Sequence, residues 1–459
     1  MFKEVVKAAH SLKKCVPSQG RDESFIIWRC CMNSLSICRE ILQKISELIH
    51  SESFLESHRV KNRFIRKGLL TMTHIIVYLL YTSKQSMSIN LSNIQLELPE
   101  LKFPKVTKQA VSKARQGILP SLFKELFDIS VDTYYNSIDH RKKWRGLYHI
   151  FAVDGSRINL PVSKSNFKNY GEMFSLTNPN RKWSMALGST IYDVCNDVIV
   201  HGLLKRYLGS ERAAAMQHCS ELEALGLFQD AVIIFDRGYY SEDMFRYFSS
   251  KGYLCVMRIR ERLKISKKCT GDCILTLPGN KKKGTEDIPI RVISVPLDGG
   301  ETEYLATTIF DESLTSDDFK ELYFMRWPIE SKYEELKNQF LLEEFSGATS
   351  TSIEQEFYIN LLLSNLSALV KCAADQKIES HKKEKNRYRY QANRVYIIGR
   401  RKMFIARFLA STCSLSLLDN IFEGACANRS QIQPGRRDPR KKKADARDRK
   451  HFNNRKLVL

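Results

Sequence analysis

Two apolar runs, each closing on an aspartate, constrain this chain more than any other feature. Ile150, Phe151, Ala152 and Val153 precede Asp154; Val232, Ile233, Ile234 and Phe235 precede Asp236. Short apolar runs rich in β-branched and aromatic residues read as buried strands. An aspartate on or just after a buried strand is costly unless it is paired or holds a metal. Taken singly, each is better read as a turn or cap residue, because the segments run D-G-S and D-R-G-Y and Asp with Gly is a common turn pair.

What lies between and after these runs gives them an order. Residues 163–182 are polar and turn-rich, and 183–193 and 198–204 read as two strands joined at Asn196-Asp197. A helix follows over 211–225, then the Asp236 strand, a helix over 241–251 and a strand over 253–259. Strand, two strands, helix, strand, helix, strand is the core order of a ribonuclease-H-like domain, in which the first and fourth strands lie side by side. The fold class expected is α/β: a ribonuclease-H-like catalytic core with a β-rich insertion, flanked by helical N- and C-terminal regions.

A third segment, Y-F-M-R-W-P-I-E-S-K-Y-E-E-L-K, spaces Tyr323, Arg326, Glu330 and Lys337 at three, four and seven. At about 100° per residue these return to one side of a helix, within an arc of about 60°. Leu322, Met325, Ile329, Tyr333, Leu336 and Phe340 form an apolar stripe beside it. Arg326 and Glu330 have the spacing of an ordinary ion pair, worth a few tenths of a kcal/mol at most. Pro328 either kinks the helix or marks the first turn of a new one. Two strand aspartates and a helical glutamate make an acidic trio without thiolate or imidazole, and such hard oxygen donors suit Mg²⁺ or Mn²⁺ rather than zinc.

With these residues in place the chain resembles bacterial insertion-sequence transposases of the DDE class that carry the Y-R-E-K signature, the "IS four" group. That signature asks for Tyr, two residues, Arg, three residues, Glu, six residues and Lys, and Tyr323, Arg326, Glu330 and Lys337 meet it without a gap. The D-G-S at Asp154 and the D-R-G-Y at Asp236 are similar too, and the resemblance covers residues 144–342 well. It implies that Asp154, Asp236 and Glu330 hold two divalent ions, Mg²⁺ or Mn²⁺, for in-line attack on a phosphodiester, and that the freed 3′-OH then attacks target DNA. It implies phosphate-gripping roles for Tyr323, Arg326 and Lys337. The implied partners are double-stranded DNA, both terminal inverted repeats and target, and a second copy of the chain in a synaptic homodimer. A ribonuclease-H-like nuclease without strand transfer and a catalytically silent DNA-binding protein are the alternatives.

About fifty residues separate residue 259 from the glutamate helix, more than the core fold needs. Strand-like runs at 288–295 and 303–309 and the lysines Lys281, Lys282 and Lys283 suggest a β insertion at about 260–302. In similar transposases an aromatic residue there can hold a flipped base. No Trp lies between Arg260 and Phe310, which leaves Tyr304 and Phe310 as guesses; the lysines fit a solvated hairpin equally well.

Composition agrees with a polyanionic partner. Lys and Arg number 73 against 51 Asp and Glu, a formal net charge of +22, which favours nucleic acid without choosing DNA over RNA. Twelve cysteines without a C-x-x-C pair fit reduced thiols in a bacterial cytoplasmic, nucleoid-associated protein. The apolar stretches 69–81 and 358–370 are too short to span a bilayer, and the start, M-F-K-E-V-V-K, lacks a signal-peptide core; no membrane partner is expected.

The expected organisation is a helical N-terminal region, 1–143, for DNA ends; the catalytic domain, 144–345; a helical C-terminal region, 346–425; and a basic, disordered tail, 426–459. Near Thr107, a plausible N-cap, Ala110, Val111 and Ala114 form a small apolar face beside Lys108, Lys113 and Arg115. This suits a recognition helix or a merely basic surface helix.

Overall fold

The computed structural model describes residues 23–432 apart from 67, 83, 138–140, 175–177, 179–181, 298–299, 382–387 and 411–415. The helices α1 (Glu23–His50), α2 (Glu52–Ser57), α3 (Met72–Tyr81), α4 (Met87–Glu97), α5 (Lys108–Arg115) and α6 (Pro120–Ser137) precede the sheet. The central region then runs β1 (His149–Leu160), α7 (Lys164–Tyr170), β2 (Met173–Phe174), β3 (Lys182–Asp193), β4 (Val198–Arg206), α8 (Glu211–Ala224), β5 (Ala231–Phe235), α9 (Glu242–Lys251) and β6 (Leu254–Ile259). After it come α10 (Lys264–Lys267), β7 (Asp272–Leu277), β8 (Ile288–Pro296), β9 (Thr302–Thr307), α11 (Ser316–Phe324) and α12 (Trp327–Asn338). The chain closes with α13 (Ser350–Ser380), β10 (Arg389–Ala392), α14 (Arg394–Ala410), α15 (Ser416–Ala427) and β11 (Arg429–Ile432).

The core strands lie in the order β4-β3-β1-β5-β6, with β1, β5 and β6 parallel and β3 and β4 antiparallel to their neighbours. That is the ribonuclease-H-like arrangement. Alternation along the strands serves both faces. Ile150, Val232, Ile234 and Val256 join Phe319 and Leu322 of α11 in one buried cluster. Ile233, Phe235, Cys255 and Met257 join Leu222 of α8 and Phe245 and Phe248 of α9 in another. Each buried aliphatic or aromatic side chain of this kind contributes about 1.5–3 kcal/mol. Serine caps set the helix starts: Ser210 accepts from Ala213 N–H and Ser241 from Met244 N–H, each satisfying an orphan donor.

The segment expected as a β insertion is continuous with the sheet. β9 pairs antiparallel with β6, β8 with β9 and β7 with β8. β7 has no counterpart among the strand-like runs of the sequence; only its last residue is buried, so it lacks the apolar density of a core strand. The polar stretch 163–182 contains α7, capped by Ser163.

The flanking helices form one body. α13 packs against α1, α6, β4 and α15. It is long and apolar enough to cross a membrane, yet 83% of its apolar window is buried inside the protein, as in a core helix. Its polar residues have local uses. Asn365 accepts from Ile199 N–H and donates to Ile199 C=O, both at 2.9 Å, completing the edge of β4. Close approach at Gly202 requires the missing side chain: a Cβ there would meet Leu361 Cδ1 at 2.3 Å. Regular structure continues past residue 425, since β11 pairs with β10. The rest of the expected basic tail, 433–459, lies outside the described residues, as do residues 1–22.

Candidate active site

β1 and β5 run parallel with Val153 opposite Phe235 as their last pair. The next residue on each is an aspartate, so Asp154, midway along β1, and Asp236, just past the end of β5, sit side by side on strands about 4.8 Å apart. Beyond this point β5 has ended, while β1 continues beside β3, with Asp154 opposite Thr190. The strands therefore part at the aspartates and open a crevice, the usual ligand position in an open α/β sheet. Arg212 of α8 steadies the turn after Asp236, donating to the carbonyls of Gly238, Tyr239 and Tyr240 at 3.0–3.1 Å.

The Tyr-Arg-Glu-Lys segment is two helices rather than one. α11 ends at Phe324 and α12 begins at Trp327 with Pro328 in its first turn, where the missing N–H has no partner to lose. The single-helix arc expected for the four residues is thus corrected: Tyr323 belongs to α11, Arg326 to the junction, and Glu330 and Lys337 to α12. Glu330 falls in the first turn, where the helix dipole favours a negative charge.

Each of the four has a defined partner. The Tyr323 hydroxyl donates to Asp236 Oδ1 at 3.5 Å, and burial, with Asp236 adding to it against Arg326, pushes the phenol up to about 12. Arg326 is buried, its guanidinium lying 4.9 Å from the Trp327 ring and 5.8 Å from that of Tyr323. It donates to Glu330 Oε1 at 2.8 Å, and its Nε has no hydrogen-bond partner. Lys337 donates to Arg157 C=O at 2.6 Å and stands 3.7 Å from Glu343, so it fastens α12 to β1. The Tyr333 hydroxyl, absent from the sequence-based candidates, is 3.1 Å from Asp154 C=O and 2.9 Å from Gly188 C=O, and accepts from Thr190 Oγ1 at 3.1 Å.

Charge is unbalanced at the crevice. Burial first, then the charges of Glu330 and Asp236, raise the Asp154 carboxyl to about 7; the Gly155 N–H and Arg326 oppose them. Asp154 thus feels both of the other acids, and a divalent cation beside it would offset that repulsion. The donor set fits Mg²⁺ or Mn²⁺. Among the described residues no three His, Cys, Asp or Glu side chains are gathered closely enough to hold a metal as they stand, and the Glu330 carboxylate is engaged by Arg326.

Beside Asp236 lies a cleft of about 510 Å³ lined by Arg237, Arg260, Glu261, Arg262, Lys267 and Tyr304. Four cations face one carboxylate there. The residues come from the ends of β5 and β6, from α10 and from β9; Arg260, Glu261 and Arg262 are consecutive, but Arg237 and Tyr304 lie far from them in the chain, which hid the cluster. Of the two aromatic guesses, Tyr304 lines this cleft and Phe310 does not. Lys281 and Lys282 are exposed on the β7–β8 hairpin.

The α5 helix begins as expected, Thr107 accepting from Ala110 N–H at 3.2 Å, and Lys108 and Lys113 are exposed. Arg115 is different. It is 2% exposed and bound to Gln355, Ser346, Ser352 C=O and Glu356, so it anchors α5 to α13 and is not part of a basic surface.

Residues 145–366 match the family of the transposase DDE domain. The chain is 24% identical over 335 residues to the transposase InsG for insertion sequence element IS4 of Escherichia coli (strain K12), covering 70% of this chain and 73% of that protein. Its shape is similar to the piggyBac transposase in a cryo-EM structure of a synaptic complex with hairpin DNA, at TM-score 0.45 and 9% identity over 85% of this chain and 84% of that one.

Proposed function

As this chain is a DDE transposase of the IS4 group, we propose that Asp154, Asp236 and Glu330 are its catalytic carboxylates and that it cuts DNA at terminal inverted repeats and joins the freed 3′ ends to target DNA. The observation that carries this assignment is the placement of Asp154 beside Asp236 where the parallel pairing of β1 and β5 ends, with the Asp154 carboxyl raised to about 7 chiefly by burial and further by Glu330 and Asp236. Two divalent cations, Mg²⁺ or Mn²⁺, when bound by these carboxylates, would supply Lewis acidity to the attacking and leaving oxygens.

The chain's own residues do the rest. The Asp154 carboxyl, raised to about 7 first by burial, would be held ionised as a metal ligand. Tyr323 holds the Asp236 carboxylate through its hydroxyl. Arg326 is the hinge of the site: bound to Glu330 in the free protein, it transfers to a DNA phosphate, which competes well for a guanidinium, and so frees Glu330 for the aspartates. Lys337 keeps α12 seated on β1 and takes a supporting role near the DNA end. The Arg237, Arg260, Arg262 and Lys267 cleft receives a strand of the duplex, with Tyr304 available for stacking. A second copy of the chain completes the synaptic complex, in the bacterial cytoplasm beside the nucleoid.

A strand-transfer assay tests this. A plasmid carrying the coding region with its flanking DNA is incubated with the protein and Mg²⁺. Joined products support transposition, cleavage alone reduces the activity to a nuclease, and binding alone rejects the catalytic assignment.

A further inference from the structure

We propose that a ring of four charges, Asp197, Glu335 and Arg394 around the buried Lys332, is the positioning device that holds Glu330 in register with the aspartates; this rests on the catalytic assignment above. Lys332 Nζ lies 2.5 Å from Asp197 and 3.2 Å from Glu335. Arg394 closes the ring, hydrogen-bonding Asp197 through Nη1 and bringing Nε within 2.5 Å of Glu335 as a charge contact without hydrogen-bond geometry. Two cations and two anions alternate, so the cluster is neutral.

The ring joins three elements at one point. Asp197 sits in the β3–β4 hairpin at φ +59°, a conformation Asp tolerates better than most residues, and it also accepts from the Tyr192 hydroxyl at 2.7 Å. Lys332 and Glu335 belong to α12 and Arg394 to α14. Lysine side chains are rarely enclosed this far: Lys332 is 4% exposed, and burial of a lysine is costly unless it is paired. Burial raises the Asp197 carboxyl, but Lys332 and Arg394 outweigh it and hold the group well below the usual carboxylate range.

Geometry connects this ring to the catalytic glutamate. Lys332 and Glu335 follow Glu330 by two and five residues, roughly 200° and 140° around the helix, so the ring grips the side of α12 facing away from Glu330. Tyr333, roughly 60° from Glu330, grips the near side through the Asp154 carbonyl at 3.1 Å. Held on both sides, α12 cannot roll, and the Glu330 carboxylate keeps its heading. Hydrophobic residues could fill the same space, but only a directional set of ion pairs specifies one rotation. Arg394 lies beyond residues 145–366, which makes the C-terminal helices a working part of the catalytic site.

The test uses the full chain with Lys332→Met, Arg394→Gln and the conservative Arg394→Lys. Mn²⁺ binding to the protein carrying a DNA duplex cut from the flanking sequence, so that a phosphate occupies Arg326, is read by calorimetry, the Mg²⁺ half-saturation of nicking on a supercoiled plasmid carrying the flanked coding region is read by gel, and folding by circular dichroism. Lys332→Met and Arg394→Gln are expected to weaken Mn²⁺ binding and raise the Mg²⁺ requirement about tenfold or more, the range for outer partners of metal ligands, with Arg394→Lys recovering most of the loss. A variant that merely lost folded protein would lower amplitude and leave both metal constants unchanged, and that result in Lys332→Met or, if it does not fold, in Arg394→Gln overturns the proposal. No Mn²⁺ binding by the unsubstituted chain with the DNA duplex bound would instead sink the catalytic assignment and this inference with it.

Discussion

Arg326 donates to Glu330 across 2.8 Å, so the carboxylate required beside Asp154 and Asp236 is held by a cation from its own chain. The arrangement separates two states of the site. Under the proposed function, Arg326 neutralises Glu330 in the absence of DNA; with a phosphate to bind, the guanidinium would have a better partner and Glu330 would be released as a ligand.

Replacing Asp154, Asp236 or Glu330 by Ala is expected to lower DNA cleavage by at least about a thousandfold, since each removes a metal ligand. DNA binding, measured by gel shift, should stay within about threefold because the basic cleft is untouched. Full cutting by Glu330→Ala contradicts the assignment of α12.

Arg326→Ala should move two measurements in opposite directions. The free protein should bind Mn²⁺ roughly three- to tenfold more tightly, because a nearby positive charge has gone and Glu330 is released. Cleavage should fall, because the phosphate loses its partner. If Mn²⁺ affinity drops together with cleavage, Arg326 is supporting Glu330 rather than competing for it.

The cleft beside Asp236 makes a prediction about salt. Removing Arg260, Arg262 and Lys267 together should flatten the slope of log affinity against log salt by about 0.9 for each duplex phosphate that is no longer neutralised. Tyr304→Ala should cost about 1–3 kcal/mol of binding if a base stacks on the ring, whereas Phe310→Ala should be silent. An unchanged slope removes the cleft from the DNA path.

Glu356 gives a stability test in acid. Burial raises its carboxyl, but Arg115, Lys84 and the Ser346 hydrogen bonds prevail and hold it at about 2, below the ordinary 4.5. The folded form thus binds fewer protons than the unfolded one, so its contribution is present above about pH 4.5 and disappears as pH falls toward 2. It is on the order of 3 kcal/mol. In urea unfolding, Glu356→Gln should be less stable than the unsubstituted chain at pH 7, and the gap should close between pH 4.5 and pH 2. A gap that stays constant shows that the ion cluster of Arg115, Lys84 and Glu356 does not bind α5 to α13 in this way.

The parts of the site that the sequence disclosed are those whose signal is local. Asp154 and Asp236 stand out because each ends a run of residues that must be buried, and parallel pairing of those runs aligns them without further information. Pro328 announced a break, and its missing N–H decided for a new helix over a kink. Partners brought together only by tertiary structure were hidden. Arg115 has the composition of a DNA-contacting residue, yet its anion lies 241 positions later at Glu356. Lys337 has the spacing of a phosphate ligand, but its nearest acceptor is the Arg157 carbonyl, and main-chain acceptors leave no trace in side-chain identity. Lys332 lies on an otherwise solvated stretch of charges, and nothing nearby marks Asp197 and Arg394 as the residues that enclose it.

The most direct test of the central claim is a crystal structure of the protein with a cleaved DNA end and Mn²⁺, read by anomalous scattering. Two peaks should appear between Asp154 of β1 and the end of β5, contacted by Asp154, Asp236 and Glu330, with Arg326 on a phosphate. Peaks elsewhere, or Glu330 still paired with Arg326 while the metal sites are filled, would contradict it.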